Sequence, residues 1–179
     1  MSAKKEAIII PPDESGNPLH SYAVGTEVTV KEHRAELVVA FGDLLRVPAD
    51  TFICPTGPTF DYCSGNPTHV AIQAKVGGHT FTQVKQRVAA LMESERSVNL
   101  QKIGKATRTG LAISTSAGGH DTIRTIVHVN TINPLKSPPC DQNDIRLCTK
   151  NALIEADDCG STYVAMPVLG TELWTMSRA

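Results

Sequence analysis

Two segments far apart in the sequence carry residue types that can handle a nucleotide. The first runs Val38-Val39-Ala40-Phe41-Gly42-Asp43 and resumes at Gly65-Asn66-Pro67-Thr68-His69-Val70-Ala71. A carboxylate at a strand end, as at Asp43 before Leu44, can accept from an exocyclic amine such as adenine N6, and the competing reading is a turn or capping aspartate. Asn66-Pro67 is a helix start in which the N–H groups of Thr68 and His69, at the positive end of the helix dipole, offer an anion site. The second segment, Ser161 to Thr171, is a strand followed by a loop, Pro167 to Thr171, in which Gly170-Thr171 can bring backbone N–H groups close to a diphosphate. Trp174, the only tryptophan, follows four residues after Gly170 and can cover a ribose or base, although a single Trp is more often a core or interface anchor.

Other chemistries find less support. His69, His79, His120 and His128 are not at metal-ligand spacing, so neither metal nor cofactor is expected. His128 reads as a packed or hydrogen-bonded core histidine. The five cysteines, Cys54, Cys63, Cys140, Cys148 and Cys159, form no CxxC pair and suit reduced thiols. A Cys/His nucleophile pair, for example Cys54 or Cys63 with His69, has no motif behind it, and buried inert cysteine is the default. A formal charge of -1 without a basic stripe argues against long nucleic acid. The N-terminal apolar run, Ala7 to Ile10, is too short for a signal core or a membrane span, and an intracellular, cytoplasmic protein is expected.

These residues need elements to position them. Strands are expected at Ala7 to Ile10, Glu27 to Val30, Glu36 to Phe41, Thr51 to Cys54, Thr109 to Ser114, Thr122 to Val129 and Thr162 to Met166. Pro55 should end its strand, because proline cannot donate to a central ladder. One helix starts at Asn66-Pro67, buries Val70, Ala71, Ile72 and Ala74, and stops at Gly77-Gly78. A second spans Thr82 to Met92 with Val84, Val88, Leu91 and Met92 inward, and a third spans Asp144 to Asp158, closed by Gly160, with Ile145, Cys148, Ala152 and Leu153 inward. Gly118-Gly119-His120-Asp121 reads as a hairpin turn, and Glu155, Asp157 and Asp158 as a solvated helix end opposing the dipole. Strands interleaved with helices give an α/β fold with a mixed sheet. At 179 residues the chain suits one globular unit, with 1–34 as an N-terminal extension carrying one or two strands and 35–179 as the main domain.

The series of motifs resembles the macro domain, the family whose usual ligand is ADP-ribose. Gly42-Asp43-Leu44-Leu45 resembles its G-D-I-T turn, in which the Asp holds adenine and the next backbone N–H assists. Asp50 to Cys54 is similar to its D-A-I-V-N strand, Gly65 to Ala71 to its first glycine-rich loop and helix, and Gly104-Lys105-Ala106 to its G-x-A turn. Ile126-Val127-His128-Val129 is similar to its V-I-H strand, and Val164 to Pro167 to the strand before the second phosphate loop. The likeness covers Val38 to Trp174 and implies a three-layer α/β/α sandwich with a mixed central sheet. It assigns Asp43 and Leu44 to the base, Asn66, Thr68, His69, Gly170 and Thr171 to phosphates, and Trp174 to a sugar.

The departures concern chemistry. Pro55-Thr56-Gly57-Pro58 stands where hydrolytic members have N-A-A-N, and Gly65-Asn66-Pro67-Thr68 replaces a triple glycine. Glu172 brings bulk and charge to a glycine position of the second loop. The branch that removes ADP-ribose from glutamate uses a Lys after the first loop, for which Lys75 or Lys85 could stand in, and an Asp after the second, which is missing. The leading expectation is binding of ADP-ribose or a related adenine nucleotide, with an ADP-ribosylated protein and a homo-oligomer as further partners. The alternatives are a structural or assembly domain with a degenerate pocket, and an ADP-ribosyl hydrolase relying on Thr56, His69 or Glu172.

Overall fold

The computed structural model describes residues 23–30, 33–40, 43–60, 66–95, 108–133, 136 and 140–170. The chain divides into two compact units, Met1–Val47 and Pro48–Ala179. In the first, β1 (Ala23–Val30) and β2 (His33–Ala40) pair antiparallel from Ala23 opposite Ala40 to Val30 opposite His33, and Leu44–Arg46 forms one 3-10 turn. The β-branched content of Val24, Val28, Val30, Val38 and Val39 suits this hairpin. The expected strand at Ala7 to Ile10 lies outside the described residues.

The second unit contains β3 (Thr51–Thr56), α1 (Pro67–Val76), α2 (His79–Glu95), β4 (Ala112–Ser116), β5 (Thr125–Asn130), α3 (Gln142–Asp158) and β6 (Val164–Ala165). The sheet order is β4-β5-β3-β6, with β3 parallel to β5 and β6 and β4 antiparallel to β5, which is the mixed sheet that the interleaved pattern predicts. Helix α3 packs on one face, where Ile53, Val127, Val129, Cys148, Ala152, Ala156 and Leu169 form a buried cluster. Helices α1 and α2 pack on the other, where Phe60, Val84, Val88 and Ile113 form a second cluster. Burial on both faces explains why five consecutive residues of β5, Ile126 to Asn130, are buried rather than alternating with polar ones.

Pro55 does not end β3. It pairs opposite Val129, and the strand runs on to Thr56. The Thr56 carbonyl accepts from Thr131 N on the β5 side, so Pro55, one residue earlier, faces the other way and owes β5 no N–H. On that other side β6 pairs only with Thr51 and Phe52, and the Pro55 carbonyl accepts from Asn66 Nδ2 at 3.4 Å.

The helix faces also differ from expectation. Helix α1 buries His69, Ile72 and Val76, while Val70 and Ala74 are exposed, because the Asn66 cap sets the phase and turns a histidine into the core. Helix α2 starts at His79, with Thr80, Phe81, Val84 and Val88 buried and Leu91 exposed; the Met92 side chain lies outside the described residues. In α3 the buried row is Asp144, Cys148, Ala152 and Ala156, and Leu153 is exposed. The C-terminal end of α3 is not merely solvated: Glu155 Oε1 accepts the Ser114 N–H of β4 at 2.8 Å. The end is ordered by Gly160, at φ +69, whose N–H reaches Asp157 O.

Asp50 ties the amino ends of three strands together. Its carbonyl accepts from Arg124 and Thr125, its N–H donates to Tyr163 O, and its carboxylate accepts from Thr162 N at 3.1 Å and Arg124 Nη2 at 2.7 Å. Burial works to raise its pKa, but the bonds from Arg124, Thr162 and Tyr163 outweigh it and hold the carboxyl below its ordinary value.

Candidate functional site

The carboxyl ends of β3 and β5 and the start of α1 meet around Thr56, Asn66 and Asn130, all of them buried. The parallel pairing of β3 with β5 puts Thr56 opposite Asn130 at the sheet end where open α/β sheets take ligands. Asn66 is held twice: Oδ1 accepts from His69 N at 3.0 Å, and Nδ2 donates to Pro55 O. Asn130 Oδ1 accepts from Ile132 N at 2.9 Å, and its carbonyl takes Gly110 N and Cys148 Sγ. Thr56 Oγ1 is buried and meets no hydrogen-bond partner among the described residues. A buried hydroxyl without a partner costs about 1–3 kcal/mol, so this position favours whatever supplies it with one.

The turn that leaves β3, residues 57–60, is held by local bonding and burial. Phe60 N donates to Gly57 O at 3.1 Å, and Phe60 adopts φ +53 with its ring wholly buried. A bulky residue in the left-handed region is strained by roughly 1–3 kcal/mol, here offset by anchoring the ring between Val84, Val88 and Ile113.

Behind Thr56 and Asn66 lies an aromatic stack. The His69 ring stacks on Phe81 with centroids 4.1 Å apart, and Phe81 meets His128 edge-on at 5.2 Å. His128 Nε2 is 2.9 Å from Thr115 Oγ1, the hydrogen-bonded core histidine the strand pattern predicts. Burial pushes the His69 pKa down to about 4, helped by Lys85, and that of His128 down to about 3, helped by His69. Both rings are neutral at pH 7.

The sequence-derived residues fare differently. Asp43 is exposed and caps the 3-10 turn, Oδ1 accepting from Leu45 N at 2.9 Å, and Leu44 is the first residue of that turn. Both belong to the first unit. The Asn66 cap is present, but it consumes the His69 N–H that the phosphate reading requires, and the His69 side chain is core. Thr68 sits half-buried in the first turn of α1. Gly170 has φ +83, where L side chains are strained, and a Cβ there would lie 2.6 Å from Ile145 Cδ1, which would have to move, so the local backbone already favours glycine. Thr171, Glu172 and Trp174 lie outside the described residues, as does Cys63. Cys54 and Cys148 are buried, and burial, together with Cys140 and Asp144, pushes the Cys148 thiol up to about 12. Thr56 gains its importance only from its orphaned hydroxyl, which no spacing signals. Among the described residues no His, Cys, Asp or Glu group is arranged to hold a metal, and no helix is long and apolar enough to cross a membrane.

The sequence profile described as Macro domain matches residues 72–178, well over half of the chain. No curated protein matches the sequence. Among solved structures, the Oceanobacillus iheyensis macrodomain with MES bound is 17% identical, covers 87% of this chain and 75% of its own, and superposes with a TM-score of 0.61. The same macrodomain with ADP is 18% identical over 86% of this chain and 73% of its own, with a TM-score of 0.59. A mutant of it with ADPR is 17% identical over 86% and 75%, with a TM-score of 0.61. At these identities the likeness is one of fold.

Proposed function

Since this chain belongs to the macro domain family, we propose that it binds ADP-ribose or a related adenine nucleotide. The family match over residues 72–178 carries the reading. The Thr56 hydroxyl at the carboxyl end of β3, without a partner among the described residues, and the start of α1 beside it, where Pro67 is exposed and Thr68 half-buried, support it. Thr56 and the α1 start are the part of the proposed site that the described residues supply, while the sequence resemblance assigns Gly170 and Thr171 to phosphate and Trp174 to a sugar. The sequence resemblance gives Asp43 and Leu44 the adenine. With Asn66 holding His69 N, the α1 start provides fewer phosphate donors than a triple-glycine loop, and modest affinity is expected. An ADP-ribosylated protein side chain is the natural macromolecular partner.

The test is thermal stability with millimolar ADP-ribose, ADP, AMP and NAD, because a ligand preferring the native state raises stability, by about 2.7 kcal/mol at a hundred times Kd. A rise with ADP-ribose that is lost in Asp43→Ala and reduced in Thr56→Val is the expected outcome. No rise with any of the four favours the assembly reading. That reading has one observation behind it, the exposed apolar Tyr163, Val164, Met166 and Val168. Hydrolysis finds no support in Pro55-Thr56-Gly57-Pro58, and His69, neutral and buried in the stack, is not placed as a general base toward solvent.

A further inference from the structure

A separate groove of about 680 Å³ opens along β4, the strand at one edge of the sheet. Gln83, Gln86, Arg87 and Ala90 line it from α2, at i, i+3, i+4 and i+7, so one helical face looks into it. Opposite stand Ser114, Thr115 and Ser116, with Arg124 and Thr125 at the start of β5 and Cys159 at the end of α3. Thr125 and Asn130 are the two ends of β5, about 17 Å apart at strand rise, so the groove is remote from the Thr56 site.

Its lining contains two guanidinium groups, two amides and four Ser or Thr residues, and no carboxylate. Both arginines are held from behind. Arg87 Nη1 donates to Ser114 O and Ser114 Oγ, while Arg124 Nη2 binds Asp50 outside the lining. The remaining guanidinium N–H groups of both, and the Gln83 and Gln86 amides, meet no hydrogen-bond partner among the described residues. Surplus donors fixed on two walls, with volume typical of small-molecule sites, match a multiply charged oxyanion carried on an organic body.

We propose that the β4 groove is a second binding site, taking a small phosphorylated molecule of sugar-phosphate size with its phosphoryl group between Arg87 and Arg124. Arg87 supplies a planar fork, Arg124 a second cation, and Gln83 and Gln86 bind hydroxyls of the organic part. The site is independent of the ADP-ribose reading.

The test is an NMR titration of the 15N-labelled full chain with ribose 5-phosphate, and with ribose as the uncharged control. Saturable amide shifts at Gln86, Arg87, Ser114 to Ser116 and Thr125 with the phosphate, and none with ribose, are expected. Arg87→Gln should weaken binding at least tenfold. Because Arg87 also holds the β4 backbone, Gln86→Glu serves as the second variant: it leaves every observed contact in place, adds a negative charge to the groove, and should abolish the shifts. Saturating ADP-ribose should leave the groove shifts unchanged. Absence of shifts at millimolar phosphate ester, equal binding by both variants, or shifts confined to Thr56 and Asn66 to His69 and displaced by ADP-ribose, overturns the proposal.

Discussion

Acidification from pH 7 to pH 5 should strip the second unit of about 4 kcal/mol of stability, well before its carboxylates protonate. His69 and His128 are fully buried around Phe81, with pKa values lowered to about 4 and about 3 from an ordinary 6.5. A lowered histidine pKa means the unfolded chain takes up a proton that the native chain refuses, so stability is full above about 6.5 and falls as pH drops toward the folded values. Between pH 6.5 and pH 5 each ring forfeits about 1.5 units at about 1.36 kcal/mol per unit, or about 2 kcal/mol. Asp50 and Asp141 have lowered pKa values, and their loss comes only below the ordinary carboxylate value of 3.8, outside this window. Urea unfolding followed by circular dichroism at the two pH values measures the difference. The double variant His69→Phe, His128→Gln should flatten the dependence, the glutamine retaining a partner for Thr115. Equal unfolding free energies for the natural chain at pH 7 and pH 5 would refute the reasoning, as would an undiminished acid loss in a folded double variant.

Two further outcomes test local packing. Gly170→Ala should cost about 2–4 kcal/mol, combining the left-handed backbone penalty with overpacking against Ile145, and Ile145→Val should recover only the overpacking part, both read by urea denaturation. Iodoacetamide at mildly alkaline pH should label exposed Cys159 in the native protein while sparing Cys148, whose thiol is pushed up to about 12. Peptide mass spectrometry reads the difference, and equal labelling of the two contradicts the burial argument.

Local chemistry was legible in the sequence where a residue answers to its immediate neighbours. Asn66-Pro67 opened α1, Gly77 closed it, and Gly160 ended α3, because caps depend on a few adjacent backbone groups. The interleaving of strands and helices likewise indicated the mixed sheet. What depended on distant partners was not legible. Pro55 continues its strand because its missing N–H faces away from β5, a fact set by register. His69 enters the core because Phe81, from the next helix, offers it a stacking surface. Glu155 closes a strand edge forty-one residues away, so its charge says nothing of its role. At the candidate site the same rule holds: the cap at Asn66 was readable, whereas its consumption of the His69 N–H and the orphaning of Thr56 Oγ1 emerge only when β3, β5 and α1 are brought together.

The multiple bonds of Asp50 give the second unit a mechanical polarity. At the amino ends of β3, β5 and β6 a single residue engages Arg124, Thr125, Thr162 and Tyr163, so these strands cannot splay there without breaking several bonds together. At the opposite ends Thr56 and Asn130 are joined through their own ladder, through Thr131, whose N–H and hydroxyl donate to Thr56 O, and through the turn at Thr131 to Ile132. The sheet therefore behaves as a fan pinned at its handle. Amide exchange should be slowest beside Asp50 and faster toward Thr56, and the compliance needed to admit or release a guest falls at the rim without loosening the pivot.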